Sequence, residues 1–169
     1  FKVDGRYRFW GGLALGGVGQ GKGMIEQQTQ AALAHGVEVR YESPVLDLVI
    51  NEHGVVDGVV CQGLNGVETI HAGAVIIASG GFEADPRLRA AHLGRSWDVA
   101  KVRGTAHNTG EVLMKAIYAG AQPYGNWSGC HSIAWDAAAP PTGDWHMTHL
   151  FSKQSYPIGV VVNRDGERF

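Results

Sequence analysis

Residues near the start of the chain have the spacing of a phosphate-binding loop. Gly16 and Gly21 are separated by four residues, and Lys22 follows directly. In that pattern, backbone N–H groups and the lysine hold nucleotide phosphates, and a Ser or Thr after the lysine binds magnesium. This chain has Gly23 in that position, and no apolar strand ending in aspartate follows as a metal partner. The spacing fits but these two features are lacking, so a nucleotide-binding module built on residues 16–22 is an alternative hypothesis and not the main one.

The same glycines do not form the dinucleotide fingerprint G-x-G-x-x-G. Counting from Gly17, the third glycine would fall on Lys22, and counting from Gly19 it would fall on Met24. Glycine nevertheless lets a backbone approach a cofactor closely, and a helix starting near Gly23 would offer N-terminal N–H groups to an anion. Gly23 is therefore a candidate cofactor-binding residue, with a flexible turn as the alternative.

Four residues have side chains of the types that bind zinc: His146 and His149, together with the adjacent pair Cys130 and His131. A structural zinc site needs four ligands, usually in two spaced pairs. The adjacent Cys–His pair has poor geometry for this purpose. No metal site is predicted.

The composition is that of a globular protein without a basic binding face. Hydrophobic residues make up 44% of the 169, charged residues 18%, and the formal net charge is −2. A nucleic-acid partner is not expected from this balance, and no apolar run of about 18 residues predicts a membrane-spanning helix. Cys61 and Cys130 lie far apart. Two isolated cysteines and no recognisable signal peptide favour a reducing, cytoplasmic setting.

The first half of the chain alternates turn residues with short apolar runs. A hairpin is predicted over residues 1–9, and a helix over residues 24–35 that ends at Gly36. A strand over residues 37–41 follows. Three further strands, at residues 45–50, 55–61 and 67–71, are separated by turn residues and predict a hairpin or meander.

The second half begins with the apolar run of residues 74–78, which suits a strand buried on both faces of a sheet. Asp85 and Pro86 predict the start of a helix that continues to residue 93. Thr109 and Gly110 precede a second helix over residues 111–119. A last strand is predicted at residues 158–163, before an Asn-Arg-Asp-Gly turn.

Five segments, in order, resemble the fumarate reductase and succinate dehydrogenase flavoprotein family. The run A-V-I-I-A-S-G-G-F at residues 74–82 resembles the family signature A-x-x-V-I-L-A-T-G-G-F. Residues 55–60 resemble its V-x-G-V hairpin, residues 108–111 its T-G-D-G loop, and residues 162–169 its V-N-x-x-G-x-R-F stretch. Residues 36–49 resemble the family's helix–G-V–strand–x-V-x-x-L-V run. Around residues 108–111 and 127–131, the chain most resembles the tricarballylate dehydrogenase branch.

The resemblance implies an α/β (α+β) fold with two parts. Residues 1–120 would be part of a Rossmann-like FAD-binding domain with a β-hairpin or meander insertion. Residues 121–169 would be the start of an α+β capping domain that closes over the substrate. The implied reaction is FAD-dependent dehydrogenation, or reduction, of the C–C bond beside a carboxylate, with a small tricarballylate-like polycarboxylic acid as substrate. A relative of the fumarate reductase or 3-ketosteroid dehydrogenase type is the alternative.

By the same resemblance, the chain is an internal fragment that is inactive alone. The family's pyrophosphate loop would precede Phe1, and its proton-relay arginine would follow Phe169, so no catalytic residue is assigned here. An electron-accepting partner protein is a further expectation for the full-length enzyme.

The family's cofactor contacts map onto three segments of this sequence. Ser79 stands where the family usually has threonine, and Glu111 where it has aspartate. The alternative for the segment around Ser79 is a tight turn that needs glycine. The alternative for Glu111 is a first-turn glutamate that the helix dipole favours. The implied cofactor-binding residues are Val45, Ala78, Ser79, Gly80, Gly81, Thr109, Gly110 and Glu111.

His131 is the substrate candidate, because the family places a histidine here that hydrogen-bonds a substrate carboxylate. Its next two residues, Ser132 and Ile133, depart from the family's Pro-Thr. An ordinary loop histidine is the alternative. Trp127 and Trp135 are expected to fill the small core of the capping domain, with the lining of the substrate cavity as the alternative.

Overall fold

The protein is described by a computed structural model that covers residues 2–7, 17–144, 146 and 158–168. The chain divides into two compact units, Phe1–Glu42 and Ser43–Phe169. Each unit combines helix and strand, so the helix-and-sheet class expected from the sequence is confirmed.

A small hairpin opens the first unit. Strand β1 (Lys2–Val3) pairs antiparallel with β2 (Arg6–Tyr7). The two turn residues between them, Asp4 and Gly5, have φ of 48° and 75°. Positive φ at both central residues is the requirement of the type I′ turn that matches strand twist. The predicted hairpin is therefore confirmed over residues 2–7, whereas residues 1, 8 and 9 lie outside the described residues.

Helix α1 (Gln20–Ala34) begins three residues before Gly23, which corrects the predicted start. Gly19, at φ 74°, directs the chain into the helix, and its carbonyl accepts the Gly23 N–H at 2.9 Å. The N–H of Gly23 is therefore used inside the helix and is not offered to an anion. A Cβ at Gly23 would lie 2.2 Å from the Val18 carbonyl oxygen, so local packing alone requires glycine here.

The end of α1 follows the sequence prediction. Gly36 takes φ 78°, its N–H donates to the Leu33 carbonyl, and the Val37 N–H donates to the Ala32 carbonyl. This pair of hydrogen bonds is the Schellman motif, in which a left-handed glycine lets the last helical carbonyls find donors.

A three-stranded antiparallel sheet forms the start of the second unit. Strands β3 (Val45–Ile50), β4 (Val56–Gly63) and β5 (Gly66–His71) lie in chain order, with β4 in the middle. The β3–β4 turn is held by Asn51, whose Oδ1 accepts from the N–H groups of His53 and Val55 at 3.0 Å each. The predicted meander is confirmed to within two residues. Cys61, on β4, is only 2% exposed.

Helix α2 (Pro86–Leu93) has the bounds that the sequence predicts. Asp85 Oδ1 accepts the N–H groups of Arg87 at 2.7 Å and Leu88 at 3.1 Å, and Pro86 lacks the N–H that would need a partner in the first turn. Partial burial opposes ionisation of Asp85, but these hydrogen bonds and the Arg87 charge outweigh it and lower the pKa of the carboxyl. The cap is therefore an ionised one.

Helix α3 (Glu111–Tyr118) starts after Gly110, which has φ 77°. It packs against β3, and Lys115 Nζ lies 3.4 Å from Asp47 Oδ1. The predicted helix is confirmed to within one residue. α3 thereby links the loop before it to the sheet.

Three predicted strands are wrong. Residues 37–41 and 74–78 form no strand, and within residues 158–163 only an isolated bridge from Val162 to Arg168 is present. A strand exists only when a neighbour accepts and donates its backbone hydrogen bonds, and the described residues supply no such neighbour for these segments. Ile76 is accordingly 92% exposed, whereas the sequence predicted burial. The turn after Val162 is present, since Asn163 Oδ1 accepts from the N–H groups of Asp165 and Glu167.

Candidate functional site

An apolar cavity of about 370 Å³ lies between the sheet and residues 72–79. Val45, at the start of β3, lines it together with Ala78 and Ser79, and Val112 of α3 lines it from another side. Three residues that the family resemblance assigns to the cofactor are thus brought to one cavity. Ala78 and Ser79 have small side chains, so the cavity stays open at that wall.

The glycines beside this cavity are explained by contacts within the protein. Gly80 has φ 77°, and a Cβ on it would lie 2.8 Å from the Asn108 side chain. A Cβ on Gly110 would lie 2.7 Å from the Phe82 Cβ. Residues 80–82 therefore pack closely on residues 108–110, and the alternative of a tight turn that needs glycine has direct support.

Hydrogen bonds join the same two segments. The Ala84 N–H donates to the Asn108 carbonyl at 2.9 Å, and Asn108 Nδ2 donates to Glu83 Oε1 at 2.6 Å. The predicted cofactor residues Thr109 and Glu111 come shortly after Asn108 in the chain, but neither lines the apolar cavity. Thr109 is half-buried, and Glu111 is exposed in the first turn of α3, where its charge complements the helix dipole.

Residues 79–83 form a loop, called here the 79–83 loop, that borders three cavities. Ser79 lines the apolar cavity, and Gly81 and Phe82 line a second cavity of about 340 Å³. In the second cavity, Phe82 stacks on Trp127 with ring centroids 5.5 Å apart, and His92 contacts both rings. Trp127 therefore lines this cavity against residues of the preceding segment, and the expectation that it fills a core within residues 121–169 is wrong.

Glu83, at the end of the 79–83 loop, borders a third cavity of about 210 Å³, called here the cationic cavity. His131 lines it and is exposed, so the structure gives the predicted substrate residue access to a defined space. Lys101 and Arg103 line the same cavity. Neither cation is predicted from the sequence, because nothing in their spacing marks them.

Arg89 is the buried charge of this region and was also missed. It is 7% exposed and lines the cationic cavity. Its guanidinium donates to four backbone carbonyls at 2.5–3.1 Å. These bonds tie α2 to the segment around a short 3₁₀ helix, Trp97–Val99. The accepting carbonyls belong to Glu83, Trp97, Asp98 and Ala100.

The glycine-rich pattern near the start of the chain belongs to the first unit. Gly16 is outside the described residues, and Gly21, Lys22 and Gly23 are all in the first turn or two of α1. Lys22 Nζ lies 3.8 Å from Glu26 Oε1 on the next turn. Gly21 and Lys22 thus lie where a phosphate-binding loop runs into its helix, but Gly23 stands where such a loop needs a Ser or Thr hydroxyl for magnesium.

The part of the chain that the structure describes contains neither a cluster of metal ligands nor a helix that could span a membrane. There, no three His, Cys, Asp or Glu side chains lie close enough together to hold a metal ion; His149, part of the pattern considered above, is outside it. Across the same residues, no helix is long and apolar enough to cross a bilayer.

Comparison with known proteins gives a family match over nearly the whole chain. The family described as "FAD binding domain" matches residues 8–169. A probable fumarate reductase of Shewanella frigidimarina is 31% identical over 91% of this chain, and 4-oxocyclohexanecarboxylate 2-dehydrogenase of Sinomonas cyclohexanicum is 30% identical over 90%. The chain spans about a quarter of the length of these curated relatives.

Two solved structures are also similar to this chain. An open conformation of a flavocytochrome c3 fumarate reductase is 28% identical, with a TM-score of 0.54 over 59% of this chain and 18% of that one. A 3-ketosteroid Δ1-dehydrogenase from Sterolibacterium denitrificans, at 24% identity and a TM-score of 0.57, shares the fold over 61% of this chain and 19% of that one.

Proposed function

Because this chain belongs to the FAD binding domain family, we propose that it holds FAD in an enzyme that dehydrogenates, or reduces, the C–C bond beside a carboxylate. The proposed substrate is a small polycarboxylic acid of the tricarballylate type. In this proposal, residues 1–120 belong to the FAD-binding domain, and residues 121–169 begin the capping domain.

The residues of the apolar cavity fit part of FAD. A heteroaromatic ring system gains by covering apolar surface, and Ile76 and Ile77, both lining the cavity, are 92% and 42% exposed. Val45, Ala78 and Ser79 would hold the ring, since their side chains leave room against the sheet. When bound, FAD supplies the hydride acceptor or donor for the reaction.

The 79–83 loop is the observation that carries the proposal. It borders the apolar cavity at Ser79 and the cationic cavity at Glu83, so one short segment connects a space suited to a ring system with a space suited to an anion. His131 would donate a hydrogen bond to a substrate carboxylate in the latter space. The charge of Lys101 and Arg103 favours a carboxylate over an uncharged steroid.

Anaerobic mixing of the complete, FAD-loaded protein with tricarballylate tests this function. We expect the visible flavin absorbance to bleach with tricarballylate and to stay unchanged with a 3-oxosteroid. His131→Ala should raise the KM for tricarballylate roughly tenfold, the scale of one hydrogen bond to a charged group. Bleaching by the steroid alone would show that the steroid-type alternative is right, and a protein that holds no flavin would remove the proposal altogether.

A further inference from the structure

We propose that Arg103 is a second carboxylate-binding residue beside His131, and that the cationic cavity takes one carboxylate of a substrate that carries at least two. The inference rests on the proposed function and adds a substrate-binding residue to that same site.

The backbone on both sides of Arg103 is fixed. The Val102 N–H donates to the Pro141 carbonyl at 2.9 Å, and the Gly143 N–H donates to the Gly104 carbonyl at 2.7 Å. A Cβ on Gly143 would lie only 2.0 Å from the Arg103 carbonyl oxygen, so the two segments are in direct contact. The Arg103 side chain therefore projects from a rigid support.

The guanidinium of Arg103, in contrast, is uncommitted. Within the described residues, it makes no hydrogen bond, and no carboxylate lies within 4.0 Å of it. The planar fork of arginine matches the two oxygens of a carboxylate. Arg103 lines the cavity, is exposed and has an unpaired guanidinium, so a carboxylate that enters the cavity can use both prongs of that fork.

The charges around the cavity reinforce this reading. Arg89 and Lys101 donate to backbone carbonyls, which are neutral and leave both positive charges in place. Glu83 is the only carboxylate among the described lining residues, and its Oε1 accepts from Asn108. Three cations against one anion give a net positive cavity, and low-dielectric walls strengthen such a field.

Cys130 supplies a reporter that does not depend on turnover. It is exposed and lines the cationic cavity, whereas Cys61 is buried. The test is the alkylation rate of Cys130 by iodoacetamide, a neutral reagent, measured by peptide mass spectrometry on the complete FAD-loaded protein. Tricarballylate at ten times its dissociation constant should slow alkylation roughly tenfold by occupancy, and sodium chloride at equal ionic strength should not.

Substitutions assign the effect to the side chain. Arg103→Gln should raise the tricarballylate concentration for half-protection roughly tenfold to a hundredfold, because it removes a charge-assisted, two-pronged contact. Arg103→Lys should recover part of that loss, since it restores the charge without the fork. Arg95→Gln is the matched control: Arg95 is exposed and lines none of the three cavities, so protection should be unchanged.

Several outcomes would overturn the inference. The first is that tricarballylate protects Cys130 in Arg103→Gln as well as in the wild type. The second is that butanoate protects Cys130 as well as tricarballylate does. The third is that inorganic phosphate does so, which would indicate a general anion site. If flavin is bound and bleached by tricarballylate while these occur, the inference fails and the proposed function stands. If Cys130 is protected through Arg103 in a protein that holds no flavin, the proposed function fails and the anion site stands.

Discussion

Replacing Arg89 with methionine is expected to lower the free energy of unfolding by about 3–5 kcal/mol, because several backbone carbonyls lose their donor at about 1–3 kcal/mol each and the relief of burying the charge offsets only part of this loss. Methionine keeps the length and the apolar stem of the side chain but donates no hydrogen bond. Four backbone carbonyls around the 7%-exposed guanidinium would then lose their partner together. Each buried group left unsatisfied costs about 1–3 kcal/mol, less where water can reach it.

Urea unfolding followed by tryptophan fluorescence measures this effect. Arg95→Met is the control on an exposed arginine and should change the free energy by less than about 0.5 kcal/mol. Arg89→Lys should fall between the two, since its ammonium keeps the charge and up to three donors but loses the fork geometry. A loss below about 1 kcal/mol for Arg89→Met would contradict the bridging role of Arg89 between α2 and residues 97–100.

Replacing Ala78 with phenylalanine should weaken FAD binding roughly tenfold to a hundredfold, the range that follows from an overpacking cost of about 1–3 kcal/mol. Ala78 lines the 370 Å³ apolar cavity. A benzyl group there would occupy the space that the proposal gives to a cofactor ring. Because Ala78 is exposed, the substitution should leave the fold intact.

Titration of the flavin-free protein with FAD, followed by flavin fluorescence, gives the affinity. Ala91→Phe places the same change on an exposed face of α2, away from all three cavities, and should bind FAD as the wild type does. Equal affinity in Ala78→Phe and wild type would show that the ring lies elsewhere.

The elements predicted well from sequence are those fixed by neighbouring residues. Asp85 and Pro86 determine where α2 starts because the cap acceptor and the missing N–H are both local. Asn51 and Asn163 each hold a turn through bonds to residues two to four positions on. Gly36 ends α1 for the same kind of local reason.

The failures depend on partners distant in the chain. The apolar run at residues 74–78 has the composition of a buried strand, but a strand also needs neighbours that share its hydrogen bonds, and composition does not supply them. Arg89 carries no signal in its own segment, since its acceptors come from residues 83 and 97–100. The start of α1 was misplaced because Gly19, rather than Gly23, takes the left-handed conformation.

The candidate site contains both residues that could be predicted from the sequence and residues that could not. Val45, Ala78 and Ser79 were assigned to the cofactor by resemblance alone, and the structure gathers them at one cavity. Gly80 and Gly110 were given the same role, yet their lack of a side chain is required by Asn108 and Phe82. Arg103 was not noticed at all, because its importance comes from a cavity that it shares with residues 27 or more positions away, such as His131 and Ile133.

The central claim, that FAD lies in the apolar cavity, is tested most directly by hydrogen–deuterium exchange on the complete protein with and without FAD. In this structure, the amides of residues 74–79 make no hydrogen bond within the described residues. They should therefore exchange fast without FAD, so that a slower exchange with FAD is measurable. We predict that FAD slows exchange in peptides covering Val45–Ile50 and residues 74–79, and much less in the peptide covering Pro86–Leu93. Tight FAD binding with unchanged exchange in residues 45–50 and 74–79 would contradict the claim.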